Sequence, residues 1–208
     1  MNKGGITEEV LKSSLETLAE RDAKMGAALA HAGHPEPRYN DPGYVTLLRT
    51  IVGQQVSLPS ARAIWAKLEA ALGRADDPAA LAAATDEMLR EAGLSRQKIS
   101  YARSLAEEVT SGRLNLEHLP EDDEAAIAEL VRIKGIGRWS AEIYLLFAEG
   151  RQDIWPAGDL AVQIAMGRIL GLPDKPSERQ LRELAEPWRP HRGPLAIFAW
   201  HFYKTPVL

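Results

Sequence analysis

The chain has 208 residues, 45% of them hydrophobic, and a formal net charge of −4. That is enough for one domain, or for two small subdomains sharing a core. No run of about 18 apolar residues occurs, which excludes a membrane-spanning helix, and the absence of cysteine excludes disulfides, thiolate zinc sites and cysteine-held iron–sulfur clusters. His31, His34, His118, His191 and His201 lack metal-ligand spacing, and Met1-Asn2-Lys3-Gly4-Gly5 lacks an apolar signal region. A soluble, cytoplasmic protein is therefore expected. The acidic balance argues mildly against a nucleic-acid partner, although a local basic face can supply the attraction.

Thr7 to about Ala32 reads as one helix, with Thr7 as its cap, Glu8 and Glu9 in its first turn, and Val10, Leu11, Leu15 and Leu18 on one face. Gly33-His34-Pro35-Glu36-Pro37 is a break. Asp41-Pro42-Gly43 opens the next helix, Asp41 as cap and Pro42 at the first position, and it runs through Tyr44, Leu47, Leu48 and Ile51. It ends in Ile51-Val52-Gly53-Gln54-Gln55-Val56-Ser57, where Ser57 caps a helix carrying Ala61, Ile64, Trp65 and Leu68. On its own the glutamine pair is a polar loop. Asp77-Pro78 starts a short helix, Thr85 caps another, and Ser95 caps a third through Ile99, Ala102, Leu105 and Val109. Lys98 reads as a solvated surface lysine rather than a phosphate ligand.

Leu130 to Glu142 reads as a helix end, a tight Gly135-Ile136-Gly137 hairpin and a second helix. Two glycines one residue apart allow a sharp turn and a close approach by another molecule. The second helix begins with free N–H groups, a ready phosphate site; equally, the segment is an αα-corner that binds nothing. A loop follows to Gly158-Asp159, then a helix from Ala161 to Leu170. Ser177-Glu178-Arg179-Gln180 is a capping box. The chain closes with Trp188-Arg189-Pro190-His191-Arg192 and an apolar helix, Leu195 to Tyr203. With no strand pattern and no repeat, the reading is all-α with about ten helices.

Asp159 follows Gly137 by 22 residues, room for one amphipathic helix and a loop, so the two can face one cleft. A plain N-cap also explains Asp159, and the two readings are compatible because a carboxylate at a helix start stays ionised. Taken together, Gln54-Gln55-x-Ser57, the hairpin, Gly158-Asp159 and Trp188-Arg189-Pro190 resemble, in order and spacing, the 3-methyladenine DNA glycosylase II family of the helix-hairpin-helix DNA glycosylase superfamily. The resemblance covers residues 40–204.

This resemblance implies an all-α glycosylase domain over residues 1–208. Two helical subdomains flank a cleft: 44–170 with the hairpin, and 1–43 with 171–208. Too few residues precede the glutamine pair for the extra N-terminal domain of longer bacterial relatives, so the compact form is expected. The implied activity is monofunctional excision of alkylated purines, 3-methyladenine and 7-methylguanine, by hydrolysis of the N-glycosidic bond. Asp159 matches the catalytic aspartate, and Trp139 and Trp200 match aromatic positions of the base pocket. Gln54, Gln55, Val56 and Ser57 match the loop that enters the minor groove, with Gln55 and Val56 as candidate wedges. Gly135, Gly137 and Ser140 would hold phosphate through N–H groups, and the carbonyls of Val131, Ile133 and Ile136 a monovalent cation.

No cofactor is implied. The partner is double-stranded DNA with alkylated bases, bound by a monomer. Trp139 stands where bifunctional relatives carry a Schiff-base lysine, and Ile143 where longer bacterial members carry tyrosine. Trp65, Trp155 and Trp188 read as core. Two rivals stay open: a non-catalytic hairpin DNA-binding module, which needs neither Asp159 nor the aromatic pair, and a bifunctional glycosylase/lyase, which expects the missing lysine.

Overall fold

The computed structural model describes residues 4–206. Met1-Asn2-Lys3 of the expected signal-free start, and Val207 and Leu208 at the other end, lie outside the described residues. Among the described residues all regular structure is helical: α1 (Glu8–Arg21), α2 (Ala23–Ala32), α3 (Tyr44–Gly53), α4 (Leu58–Leu72), α5 (Pro78–Ala83), α6 (Asp86–Glu91), α7 (Arg96–Thr110), α8 (Asp123–Leu130), α9 (Arg138–Phe147), α10 (Leu160–Leu170), α11 (Glu178–Leu184) and α12 (Arg192–Lys204), with a 3-10 turn at Glu186–Trp188. None is long and apolar enough to cross a membrane.

Local signals set most helix starts. Ser57, Asp77, Thr85, Ser95, Asp122 and Asp159 each accept a first-turn N–H through the side chain, and Ser177 with Gln180 completes the capping box. Two starts differ from expectation. The helix read from Thr7 to Ala32 is two, because Asp22 is extended (φ −138°, ψ 113°) and its carboxylate accepts from the N–H groups of Lys24 and Met25, opening α2. Asp41 does not cap α3. Gly43, at φ +110°, precedes Tyr44 with no side-chain cap, while the Asp41 carbonyl accepts from the Thr46 hydroxyl at 2.5 Å.

The chain forms two packed units. One comprises the residues up to Asn40 and from Leu145 onward, the other Asp41–Tyr144. In the first, α10 and α12 pack on each other and on α1 and α2, burying Leu11, Leu15, Leu18, Met166 and Phe198. In the second, α3 lies against α4 and α7, and α5 against α7, burying Leu47, Leu48, Ile51, Leu68, Leu81 and Leu105. Each such side chain contributes about 1.5–3 kcal/mol. The expected grouping of 44–170 is corrected at its far end: the buried face of α10 (Val162, Ala165, Met166, Ile169) packs on α12 and α2, so residues 145–170 belong with the terminal segments.

Candidate active site

In the Asp41–Tyr144 unit the hairpin is built from consecutive tight turns. Ile133 N–H donates to Leu130 O (3.2 Å) and Ile136 N–H to Ile133 O (3.0 Å), after which Ala141 N–H to Gly137 O (3.0 Å) starts α9. The N–H groups of Gly137 and Ser140 lie outside the i→i−4 ladder of that helix. The two glycines have different reasons to be glycine. Gly135 has φ +82°, and a Cβ there would stand 2.1 Å from Cδ2 of Tyr101. At Gly137 the Cβ position has no heavy atom of the described residues within 4 Å. The first is required by the fold; the second leaves room for an outside atom.

The loop after α3 is tied to this hairpin. Gln54 Nε2 donates to Gly135 O at 2.8 Å. Gln55 takes the left-handed conformation, φ +55°, which costs a non-glycine residue about 1 kcal/mol or more. Gln55 and Val56 are exposed. The Ser57 hydroxyl is used in capping α4. Gln54, Gln55, Val56, Lys98, Tyr101 and Gly135 line one cavity of about 340 Å³.

Lys98 is not the solvated lysine expected. Its ammonium donates to Val52 O at 2.7 Å, closing the C-terminal end of α3 where a positive charge is favoured. Burial pushes its pKa below the ordinary lysine value. Tyr101 was not singled out in the sequence either. Its ring packs where Gly135 leaves space, and its hydroxyl is bonded by Gln97. The helical spacing of Lys98 and Tyr101 on α7 is visible in the sequence, but their partners are distant in the chain.

Arg138, the first residue of α9, is held by carboxylates on two sides. Its Nε donates to Glu142 at 2.9 Å, and its terminal nitrogens bind Glu124. Glu142 is 2% exposed. The Glu124 bond first, then the charges of both carboxylates, hold the Arg138 pKa further above its ordinary value against the opposing effect of burial. Trp139 is 47% exposed. Among the expected carbonyl donors, that of Ile133 spends one lone pair on Ile136 N–H; a carbonyl has two. The Ile133 carbonyl therefore keeps one lone pair for another partner. No cluster of three or more His, Asp or Glu side chains among the described residues could hold a metal.

In the other unit, Asp159 is the N-cap of α10. Its Oδ1 accepts from Val162 N–H at 3.0 Å and from the indole Nε1–H of Trp200 at 3.1 Å. The turn before it is fixed from inside: buried Gln163 donates to Ala157 O (2.7 Å) and accepts from the Lys175 ammonium (2.7 Å). Trp200, on α12, lies against Phe147 with ring centroids 5.6 Å apart. The plain capping role and a positioned carboxylate therefore coexist at Asp159. Trp65, Trp155 and Trp188 are buried as expected, with Trp155 Nε1–H donating to Leu181 O.

The structure thus joins Asp159 to Trp200, and Gln54 to Gly135; Trp139 and Ser140 stand on α9. An all-helical chain with a glycine hairpin between α8 and α9 has the architecture of helix-hairpin-helix repair proteins. The model of the HhH-GPD superfamily base excision DNA repair protein matches residues 48–190, and the chain belongs to that superfamily.

The chain is 31% identical over 169 residues to DNA-3-methyladenine glycosylase 1 of Schizosaccharomyces pombe, covering 79% of this chain and 73% of that protein. It is 28% identical over 191 residues to DNA-3-methyladenine glycosylase 2 of Escherichia coli, covering 85% and 65%. Against YfjP of Bacillus subtilis, 27% identical, the match spans 58% of the relative's length. Among solved structures, a DNA-3-methyladenine glycosidase of Bacillus halodurans superposes with a TM-score of 0.84 at 31% identity, over 92% of this chain and 89% of that one. The S. pombe enzyme Mag1 in complex with abasic DNA superposes with a TM-score of 0.76 at 27% identity, over 90% and 95%.

Proposed function

We propose that this chain is a monofunctional DNA glycosylase that removes alkylated purines, 3-methyladenine and 7-methylguanine, from double-stranded DNA in base excision repair. The observation that carries the reading is the Asp159 carboxylate, fixed at the start of α10 by Val162 N–H and Trp200 Nε1–H in a chain of the HhH-GPD superfamily. A base stacked in a duplex hides its glycosidic bond, so the nucleotide must first leave the stack. Gln55 and Val56 are assigned to the gap it leaves. The left-handed backbone of Gln55 and the exposure of Val56 support that role, with Gln54 anchoring the loop to Gly135.

The N–H groups of Gly135, Gly137 and Ser140 are assigned to a phosphate, which sets register without reading sequence. Open space at Gly137 supports this. The carbonyls of Val131, Ile133 and Ile136 would hold a monovalent cation, whose charge would favour the same phosphate.

The chemistry follows from charge. An alkylated purine is cationic; when the C1′–N bond breaks, its electron pair goes to the purine, which departs neutral, and the sugar becomes an oxocarbenium ion. Ionised Asp159 stabilises that cation. Water adds at C1′, and the proton it loses passes to Asp159 or to solvent. Trp139 and Trp200 are assigned as aromatic contacts of the base, and an indole at position 139 cannot form a Schiff base. The enzyme works as a monomer in the cytoplasm, on nucleoid DNA in a bacterium. Incubation with methylated DNA, followed by chromatography of the released bases, tests the reading. Release of 3-methyladenine and 7-methylguanine is expected, and no release overturns it.

A further inference from the structure

We propose that Trp200 is a positioning residue for Asp159, acting through its indole N–H and not only through its aromatic face. This rests on the reading of Asp159 as the catalytic carboxylate. Capping α10 needs one bond, and Val162 N–H supplies it at 3.0 Å. The Trp200 bond to the same Oδ1, at 3.1 Å, comes from a different helix, 41 residues along the chain. A donor from another direction further restrains the turn of the carboxylate about its Cβ–Cγ bond.

Trp200 is itself held in place. Its ring lies against Phe147, and its α12 neighbours Ala196, Ile197, Phe198 and Ala199 are buried where α12 packs on α10. An indole N–H is a donor only. It can neither take a proton from Asp159 nor offer it a competing base, so it presents a carboxylate to the sugar in one orientation. Preorganised groups of this kind act where charge develops in the transition state. The aromatic face of Trp200 is then a second property of the same side chain.

The test separates face from donor. Trp200 is replaced by benzothienylalanine, which has the shape of tryptophan with sulfur in place of N–H, and separately by phenylalanine. Each protein is measured for affinity to a duplex carrying a tetrahydrofuran abasic analogue, and for single-turnover excision from a duplex carrying 7-methylguanine. Loss of about tenfold in rate, with affinity within about twofold, is expected for the isostere. Wild-type rate in the isostere, or a loss confined to affinity, overturns the proposal.

A third measurement does not depend on the reaction. The indole 15N–1H resonance of Trp200 should move when Asp159→Ala removes its acceptor; an unmoved resonance means the bond is absent in solution and also overturns the proposal. If the wild-type protein releases no base while the resonance moves, the bond is real, but the glycosylase reading fails and the positioning role falls with it.

Discussion

Gln54 and Gly135, 81 residues apart in the chain, are joined by a hydrogen bond from the glutamine Nε2 to the glycine carbonyl at 2.8 Å. The loop that ends α3 and the hairpin that starts α9 are therefore one mechanical piece. A residue that shifts the hairpin shifts Gln55 and Val56 with it, and two adjacent groups proposed to meet DNA share a support.

The two hairpin glycines should respond oppositely to alanine. Gly135→Ala forces a side chain into the left-handed region and drives Cβ into the Tyr101 ring, so a loss of about 2–4 kcal/mol in stability is expected. Gly137→Ala meets open space in the protein. It should change stability by less than about 1 kcal/mol, yet weaken binding to an abasic duplex for all sequences alike. Urea unfolding and fluorescence anisotropy measure the two effects. Undiminished DNA binding by a folded Gly137→Ala variant would remove the hairpin from the proposed phosphate site.

Asp159→Asn keeps a good N-cap, because asparagine caps as well as aspartate, but removes the charge. The expected result is a folded protein that binds abasic-analogue DNA and releases methylated bases at least about 100-fold more slowly. Circular dichroism checks the fold and single-turnover chromatography the rate. Near wild-type excision would leave Asp159 as a cap alone.

Trp139 is half exposed, so Trp139→Ala should fold normally. A ring quadrupole attracts a cationic base over a neutral one by about 0.5–2 kcal/mol. Excision of 7-methylguanine should therefore fall more than residual excision of hypoxanthine, roughly 2- to 30-fold more. Equal losses on both lesions would contradict a cation-selective contact. In the wild type, borohydride should trap no covalent protein–DNA adduct; a lysine-dependent adduct would restore the bifunctional reading.

His191 carries a pH dependence of stability. Its Nδ1 lies 3.0 Å from the Ser14 hydroxyl, and Ser14 is buried. Burial, then the charge of Arg21, push its pKa below the ordinary 6.5, and Asp153 opposes them in part. A base whose pKa is lowered in the folded state binds fewer protons there than when unfolded. Its contribution is thus fully present above pH 6.5 and is lost as pH falls through 6.5 and then the folded value. Between about pH 7.5 and about pH 5.5 the urea midpoint of the wild type should drop more than that of His191→Gln. Parallel curves would assign the acid sensitivity to other groups.

Much of this was readable from the chain because it is local. Ser57, Asp77, Thr85, Ser95 and the Ser177–Gln180 box mark helix starts through contacts two or three residues away, and Asp159 marks α10 in the same way. The glycine hairpin is legible because its turn chemistry is local. What escaped depends on partners far away or on competition between neighbours. Lys98 looks like any surface lysine until the Val52 carbonyl is brought beside it. The break at Asp22 lies inside an amphipathic pattern that continues on both sides. Asp41 and Gly43 both suit a helix start, and nothing within a few residues decides between them. The grouping of residues 145–170 depends on which helices α10 packs against, α12 and α2, and that is a property of the assembled unit.

Arg138 bears on how the chain meets a polyanion. Its guanidinium stands at the start of α9, beside the hairpin, and its charge is already balanced by Glu124 and Glu142. A phosphate at the proposed hairpin site would then draw little on the Arg138 charge, and more on amide dipoles and on any cation held by the hairpin carbonyls. Each whole charge that neutralises a phosphate displaces condensed counterions and steepens the slope of log K against log salt by about 0.9; amide dipoles displace few. A net charge of −4 supplies no overall attraction to a polyanion, so steering toward DNA would fall to local basic side chains. Arg138 itself should therefore add little to the salt dependence of DNA binding.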